Sequence, residues 1–201
     1  MKILIGLTGN IATGKSEVGR MLTELGARVI DTDAIAHQML RYGDPAHDAV
    51  AEAFGPGILR PDGEIDRARL GIIVFSDKEA LRRLETIVHP QIIAHVNALI
   101  HEVSEPVVVI EAIKLIEAGI HRNCRAVWVV TCPREQQIAR LMHTRGLSEA
   151  EAIRRVNAQP PQAEKIAMAD VVIDNSRTLA ETRRQVEAEW EKLSGLLKGT
   201  T

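Results

Sequence analysis

Residues Gly9-Asn10-Ile11-Ala12-Thr13-Gly14-Lys15-Ser16 set two glycines, a lysine and a hydroxyl at the spacing G-x-x-x-x-G-K-[ST]. Each residue type suits the holding of phosphate. Glycines let the chain turn so that successive backbone N–H groups face one anion. A helix starting at the end of the run adds its positive N-terminal end. Lys15 brings a point charge within reach of β- and γ-phosphates, and the Ser16 hydroxyl can ligate Mg²⁺. Gly9 through Glu17 are therefore expected to line the phosphates of a nucleotide. A chance glycine-rich turn is the alternative, and the apolar run before the motif and helical spacing after it argue against that.

Carboxylates come next. Asp31 and Asp33 end a short apolar stretch, and residues two apart on an extended segment face the same side. Either can accept the proton of an attacking hydroxyl. A second reading has Asp33 capping a helix over 34–40. Glu111 follows the β-branched run Val107–Ile110, a place from which a carboxylate acts on Mg²⁺ directly or through water. It can equally be a solvated strand end. Arg134, Arg140, Arg145, Arg154 and Arg155 fall in one stretch between strands, where arginines can neutralise a transferring phosphoryl group or sit on a lid that excludes water. Glu135, Glu149 and Glu151 are interleaved, so a salt-bridged solvent face competes with that role. His89 precedes Pro90 and reads as a capping or packing residue more readily than as a catalyst. Cys124 and Cys132 form no C-x-x-C pair and read as free thiols of a reducing compartment.

Elements must position these groups. Strands are expected over 2–8, 27–30, 107–110, 126–131 and 170–174. Between them lie helical patterns: 16–25 closed by Gly26, 34–40, a charged segment over 134–159 broken at Arg145-Gly146, and 178–197 with Leu179, Val186, Trp190, Leu193 and Leu197 inward. Trp128 and Trp190 are expected in the core. Residues from about 43 to 105 hold no convincing strand; three or four helices fit, one of them capped by Asp77. Another begins at Pro90, with Ile92, Ile93, Val96, Leu99, Ile100 and Val103 on one side. Five buried-type strands alternating with helices predict a parallel α/β sheet. The formal charge of −2 argues against a basic nucleic-acid face, and 2% aromatics leave the core to Ile, Leu, Val and Ala. The N-terminal apolar run is too short for a signal peptide, and no stretch approaches the ~20 apolar residues of a membrane span, so a cytoplasmic protein is expected.

The motifs in combination resemble the dephospho-coenzyme A kinase family. The resemblance is carried by Gly6 to Ser16, by Ile30-Asp31-Thr32-Asp33-Ala34, and by Asp66-Arg67, Leu70, Val74-Phe75, Leu81, Leu84, Ile87 and His89-Pro90. It continues through Gln137, Arg140-Leu141, Arg145, Arg155-Val156, Gln159 and Ala169 to Asn175. It implies a three-layer α/β/α P-loop NTPase fold. The nucleotide-binding core would comprise 1–42, 106–139 and 160–201, the helical substrate (coenzyme A) domain 43–105, and the lid 140–159. It implies ATP and dephospho-coenzyme A as substrates, Mg²⁺ as cofactor, and no nucleic acid, membrane or obligate protein partner. Lys15, Asp33 and Arg140 would be catalytic, with Asp33 the base. Arg140 and Asn175 would lie at ATP; Asp31, Asp33, His89 and Glu117 at the acceptor; and Ser16, Asp31 and Glu111 around the metal.

Departures from the family pattern are local. Asn10 stands at a usual glycine, tolerable because asparagine enters left-handed conformations more readily than most residues. Ala12-Thr13 replaces Gly-Ser, His37 replaces an arginine, and Ala112-Ile113-Lys114 replaces an apolar segment ahead of Glu117. Another P-loop kinase of adenylate or shikimate type, and a nucleotide-binding regulator, are the competing functions. The aspartate and His-Pro motifs argue against the first. The absence of an Asn-Lys-x-Asp guanine motif and the presence of Asp33 argue against the second.

Overall fold

The computed structural model describes residues 2–198, apart from the side chains of Phe75 and of 196–198. The elements are β1 (Ile3–Thr8), α1 (Lys15–Glu24), β2 (Arg28–Asp31), α2 (Thr32–Met39), α3 (Pro45–Phe54), α4 (Arg67–Ser76) and α5 (Lys78–Glu102). They continue as β3 (Val107–Glu111), β4 (Ala126–Thr131), α6 (Arg134–Arg145), α7 (Glu149–Asn157), α8 (Gln162–Ile166), β5 (Val171–Asp174) and α9 (Leu179–Lys198). Packing divides the chain into one unit of 1–30 and 104–201 and another of 31–103. The division falls at Ile30, whereas the sequence reading starts its helical block at 43; the difference is α2, which packs on α3 and α5.

In the first unit the five strands run in the order β2-β3-β1-β4-β5, and β1 pairs in parallel with β3 and β4, as β4 does with β5. All of β3 is buried, as β-branched residues are when helices or loops cover both faces of a sheet. On one face Ile3, Ile5, Leu7, Val107, Val109, Trp128, Val130 and Ile173 pack with Val18, Met21 and Leu22 of α1 and Val186 and Leu193 of α9. Trp190 packs at the edge of this cluster, and Leu179, expected inward, is 57% exposed because it is the first residue of α9 and precedes the buried stripe. Leu197, expected on the same stripe, has its side chain outside the described residues. Register sets the strand ends side by side. Leu7 pairs with Glu111, Thr8 with Val129 and Thr131 with Asp174. Strand order reverses at β1, so its C-terminal end is where a parallel sheet opens a binding crevice.

The second unit holds α2 to α5 and a short 3₁₀ turn at Pro56–Ile58. Asp44, Asp66 and Asp77 cap α3, α4 and α5 by accepting backbone N–H groups at 2.8–3.1 Å. His47 is buried between the Asp48 carboxylate and the Gly63 carbonyl, both 2.9 Å from its ring nitrogens, which ties the 55–66 segment to α3. Pro90 does not begin a helix; it lies inside the single 25-residue α5. A proline there forfeits one backbone hydrogen bond. Burial of Ala80, Val88, Ile92 and Val96 at multiples of four forms one stripe across it and keeps the helix continuous. Ile93, expected on that stripe, is 40% exposed.

Candidate functional site

The phosphate-loop motif forms the turn from β1 to α1. A Cβ on Gly9 would meet the Val130 carbonyl at 2.3 Å, so only glycine lets the loop pass β4 this closely. The loop folds on itself through the Thr13 hydroxyl, which donates to the Asn10 carbonyl at 2.9 Å. Helix α1 opens at Gly14 with φ +99° and no side-chain cap, leaving its positive end to face a ligand. Lys15, the first helical residue, is buried. Left-handed backbone does not fall at Asn10. Ala12 adopts it, with φ +59°, the one non-glycine residue with positive φ among the described residues. An alanine there costs roughly 1–2 kcal/mol, and the greater unfolded-state freedom of glycine returns part of that. Ala12→Gly is expected to raise stability by roughly 0.5–1 kcal/mol in urea unfolding; a lower midpoint would contradict the positive φ.

The Ser16 hydroxyl donates to Glu111 Oε1 at 2.8 Å. Glu111 is 5% exposed, so the reading of a solvated strand end is overturned. Room for it comes from Gly19, one turn along α1, where a Cβ would meet Glu111 Oε2 at 2.9 Å. A hydroxyl and a carboxylate in contact are hard oxygen donors that suit Mg²⁺ or Ca²⁺. Among the described residues no group of three His, Cys, Asp or Glu can hold a metal by itself. A cation here would take its other ligands from phosphate oxygens or water, as Mg²⁺ commonly does.

On the other flank, α6 directs Arg140 at the loop. Its guanidinium donates to the carbonyls of Ala12 and Thr13 at 3.3 and 3.1 Å and of Asn175 at 2.7 Å. Asn175 Nδ2 donates to the Thr13 carbonyl at 2.8 Å, and its Oδ1 accepts from the Thr182 hydroxyl at 2.9 Å. The other arginines of this stretch follow the salt-bridge alternative or solvate. Arg134 donates to Asn157, Arg155 pairs with Glu151 in an exposed i,i+4 contact worth ~0.3–0.5 kcal/mol, and Arg145 and Arg154 are exposed.

The segment after α7 returns to the loop. Asn10 Nδ2 donates to the Pro160 carbonyl at 2.9 Å, and the Ile11 N–H donates to Gln159 Oε1 at 2.7 Å. Glu117, expected at the acceptor, accepts a 2.6 Å hydrogen bond from Lys165, whose ammonium also donates to the Ile113 carbonyl at 2.8 Å. These groups, with Lys114, line a cavity of about 90 Å³ beside Asn10. Lys165 and Thr182 went unread in the sequence. Nothing in a single chain marks one lysine or threonine of an amphipathic segment as the buried one. Burial raises both thiols, Cys124 to about 11, so they stay protonated at neutral pH.

Asp31, Asp33 and His89 belong to the second unit. The capping carboxylate is that of Asp31, which accepts the Ala34 N–H at 3.0 Å. Asp33 lies inside the first turn of α2. The premise of a shared extended stretch is corrected accordingly, because α2 begins at Thr32. His89 is half-buried in the middle of α5, not at a helix junction.

The family model described as dephospho-CoA kinase matches residues 3–181. The dephospho-CoA kinase of Geobacter sulfurreducens is 48% identical over 192 residues, covering 94% of this chain and 98% of that protein. A crystal structure of a Thermus thermophilus protein superposes with TM-score 0.85 at 33% identity, covering 96% and 98% of the two chains. The dephospho-CoA kinase from Campylobacter jejuni does so with TM-score 0.69 at 30% identity over the whole of both.

Proposed function

Since the chain belongs to the dephospho-CoA kinase family, we propose that it transfers the γ-phosphoryl group of ATP to the ribose 3′-hydroxyl of dephospho-coenzyme A, giving coenzyme A and ADP. The observation that carries the ATP half is the uncapped start of α1 with the Ser16 hydroxyl bonded to buried Glu111. Backbone N–H groups of residues 9–17 and the Lys15 ammonium hold the β- and γ-phosphates and balance charge that spreads over the equatorial oxygens during transfer. Ser16 and Glu111 would hold Mg²⁺, with Asp31 acting through water; the ion would neutralise phosphate charge. Asp33 accepts the proton of the ribose hydroxyl as it attacks. Asp31 caps the helix that carries it and so fixes its position. Arg140 supports the loop from the ATP side.

The acceptor assignment rests on family membership, with residues 43–105, including His89, taken as the coenzyme-binding domain and 140–159 as the lid. Glu117, held by Lys165, keeps the loop after β3 in place beside the acceptor. A cytoplasmic location, with no nucleic-acid, membrane or obligate protein partner, completes the reading. No described helix is long and apolar enough to cross a membrane. The test is ADP release with Mg·ATP, with dephospho-coenzyme A, adenosine or AMP as acceptor. ADP formed only with dephospho-coenzyme A, together with product at the mass of coenzyme A, is the expected result. ADP formation indifferent to the acceptor would remove the substrate assignment and leave the nucleotide site.

A further inference from the structure

We infer that Asn175 and Thr182 are positioning residues for ATP, acting through the phosphate loop and not by touching the nucleotide. The inference rests on the ATP half of the proposed function. A phosphate loop binds anions only when its N–H groups turn inward, which requires its carbonyls to turn outward. Outward carbonyls need donors, and those of Ala12 and Thr13 receive them from three side chains: Arg140 at both, Asn175 at Thr13, and the weaker Cys132 thiol at Ala12.

Asn175 is the keystone of this arrangement. It is 3% exposed and fully committed: its N–H donates to the Thr131 carbonyl at 2.8 Å, its carbonyl accepts from Arg140, its Nδ2 reaches Thr13, and its Oδ1 accepts from Thr182. The Thr13 carbonyl can only accept, so the amide end facing it is Nδ2, and Oδ1 turns to the fully buried Thr182 hydroxyl, which also reaches the Thr178 carbonyl at 3.3 Å. The fit leaves no slack, since a Cβ on Gly14 would meet Asn175 Nδ2 at 2.1 Å. Thr182, on the first turn of α9, thus holds in place the amide that supports the peptide opening α1. An adenine contact by the Asn175 amide would require these bonds to break.

The test compares Thr182→Val, which keeps shape and loses the hydroxyl, with Thr182→Ser, which keeps the hydroxyl. Thr182→Val is expected to raise the KM for ATP about tenfold, with kcat at saturating ATP and the KM for the acceptor unchanged. Mg·ADP affinity measured by calorimetry without acceptor should fall by the same factor, and Thr182→Ser should restore both. If Thr182→Val does not fold, Asn175→Ala, which removes the donor itself, is expected to weaken Mg·ADP binding in calorimetry by at least the same factor. An unchanged KM for ATP, an equal rise in the acceptor KM, or failure of serine to restore affinity would overturn the inference. Wild-type protein that binds Mg·ADP but does not phosphorylate dephospho-coenzyme A would overturn the acceptor assignment alone, because the calorimetric comparison needs no acceptor.

Discussion

Lys15→Ala is expected to lower kcat/KM for ATP by roughly 10²–10³-fold, the usual loss when one preorganised group facing developing charge is removed. The ammonium sits at the first residue of α1 and is buried. Its interaction with phosphate is therefore little screened, and it strengthens as charge builds on the transferring group. Stability should change little. Alanine is a strong helix former, and removing a charged group from a buried position also removes its desolvation cost. Lys15→Arg is expected to restore little, because the planar guanidinium is too large for a site built around a point charge. The measurement is steady-state kinetics beside thermal unfolding. A variant that unfolds normally and keeps wild-type kcat/KM would remove the phosphate-loop reading altogether.

What the sequence disclosed depended on how locally the physics was written. The loop from Gly9 to Ser16 is contiguous and its chemistry demands particular residue types, so it could be read without any fold. Glu111 was read at a strand end because the β-branched run before it is a local pattern, but its burial was not foreseeable. That burial depends on Gly19 leaving space in a helix 92 residues earlier. Pro90 was misread because local preference favours a helix start, whereas the packed stripe of Ala80, Val88, Ile92 and Val96 outweighs one lost hydrogen bond. Asn10 was given the left-handed conformation from intrinsic preference, yet its side chain is used to hold the Pro160 carbonyl and the turn places positive φ on Ala12. The support of Thr13 by Asn175 spans 162 residues and is visible only once β4 and β5 are paired. The chemistry was thus legible where it is carried by one segment, and the scaffolding behind it was not.

The same distinction decides the experiment on the two aspartates. Asp33→Asn is expected to reduce kcat by roughly 10²–10⁴-fold, the range for loss of a general base, with the KM for ATP little changed. Asparagine keeps the shape and the hydrogen-bonding reach of the side chain and removes only its capacity to accept a proton. Asp31→Asn provides the comparison. Its carboxylate caps α2 at the Ala34 N–H, and asparagine caps nearly as well. That variant should lose less than about tenfold in kcat, whereas Asp31→Ala should also lose ~1 kcal/mol of stability through the missing cap. Because the bases differ only in which carboxylate is left, the pair separates chemistry from positioning within three residues of chain. Loss of kcat in Asp31→Asn with Asp33→Asn active would reverse the two roles, making the capping carboxylate the proton acceptor. Ordinary kcat in both would mean that the attacking hydroxyl loses its proton without help from either, and transfer would then rest on the charge of Lys15, the loop and the metal ion.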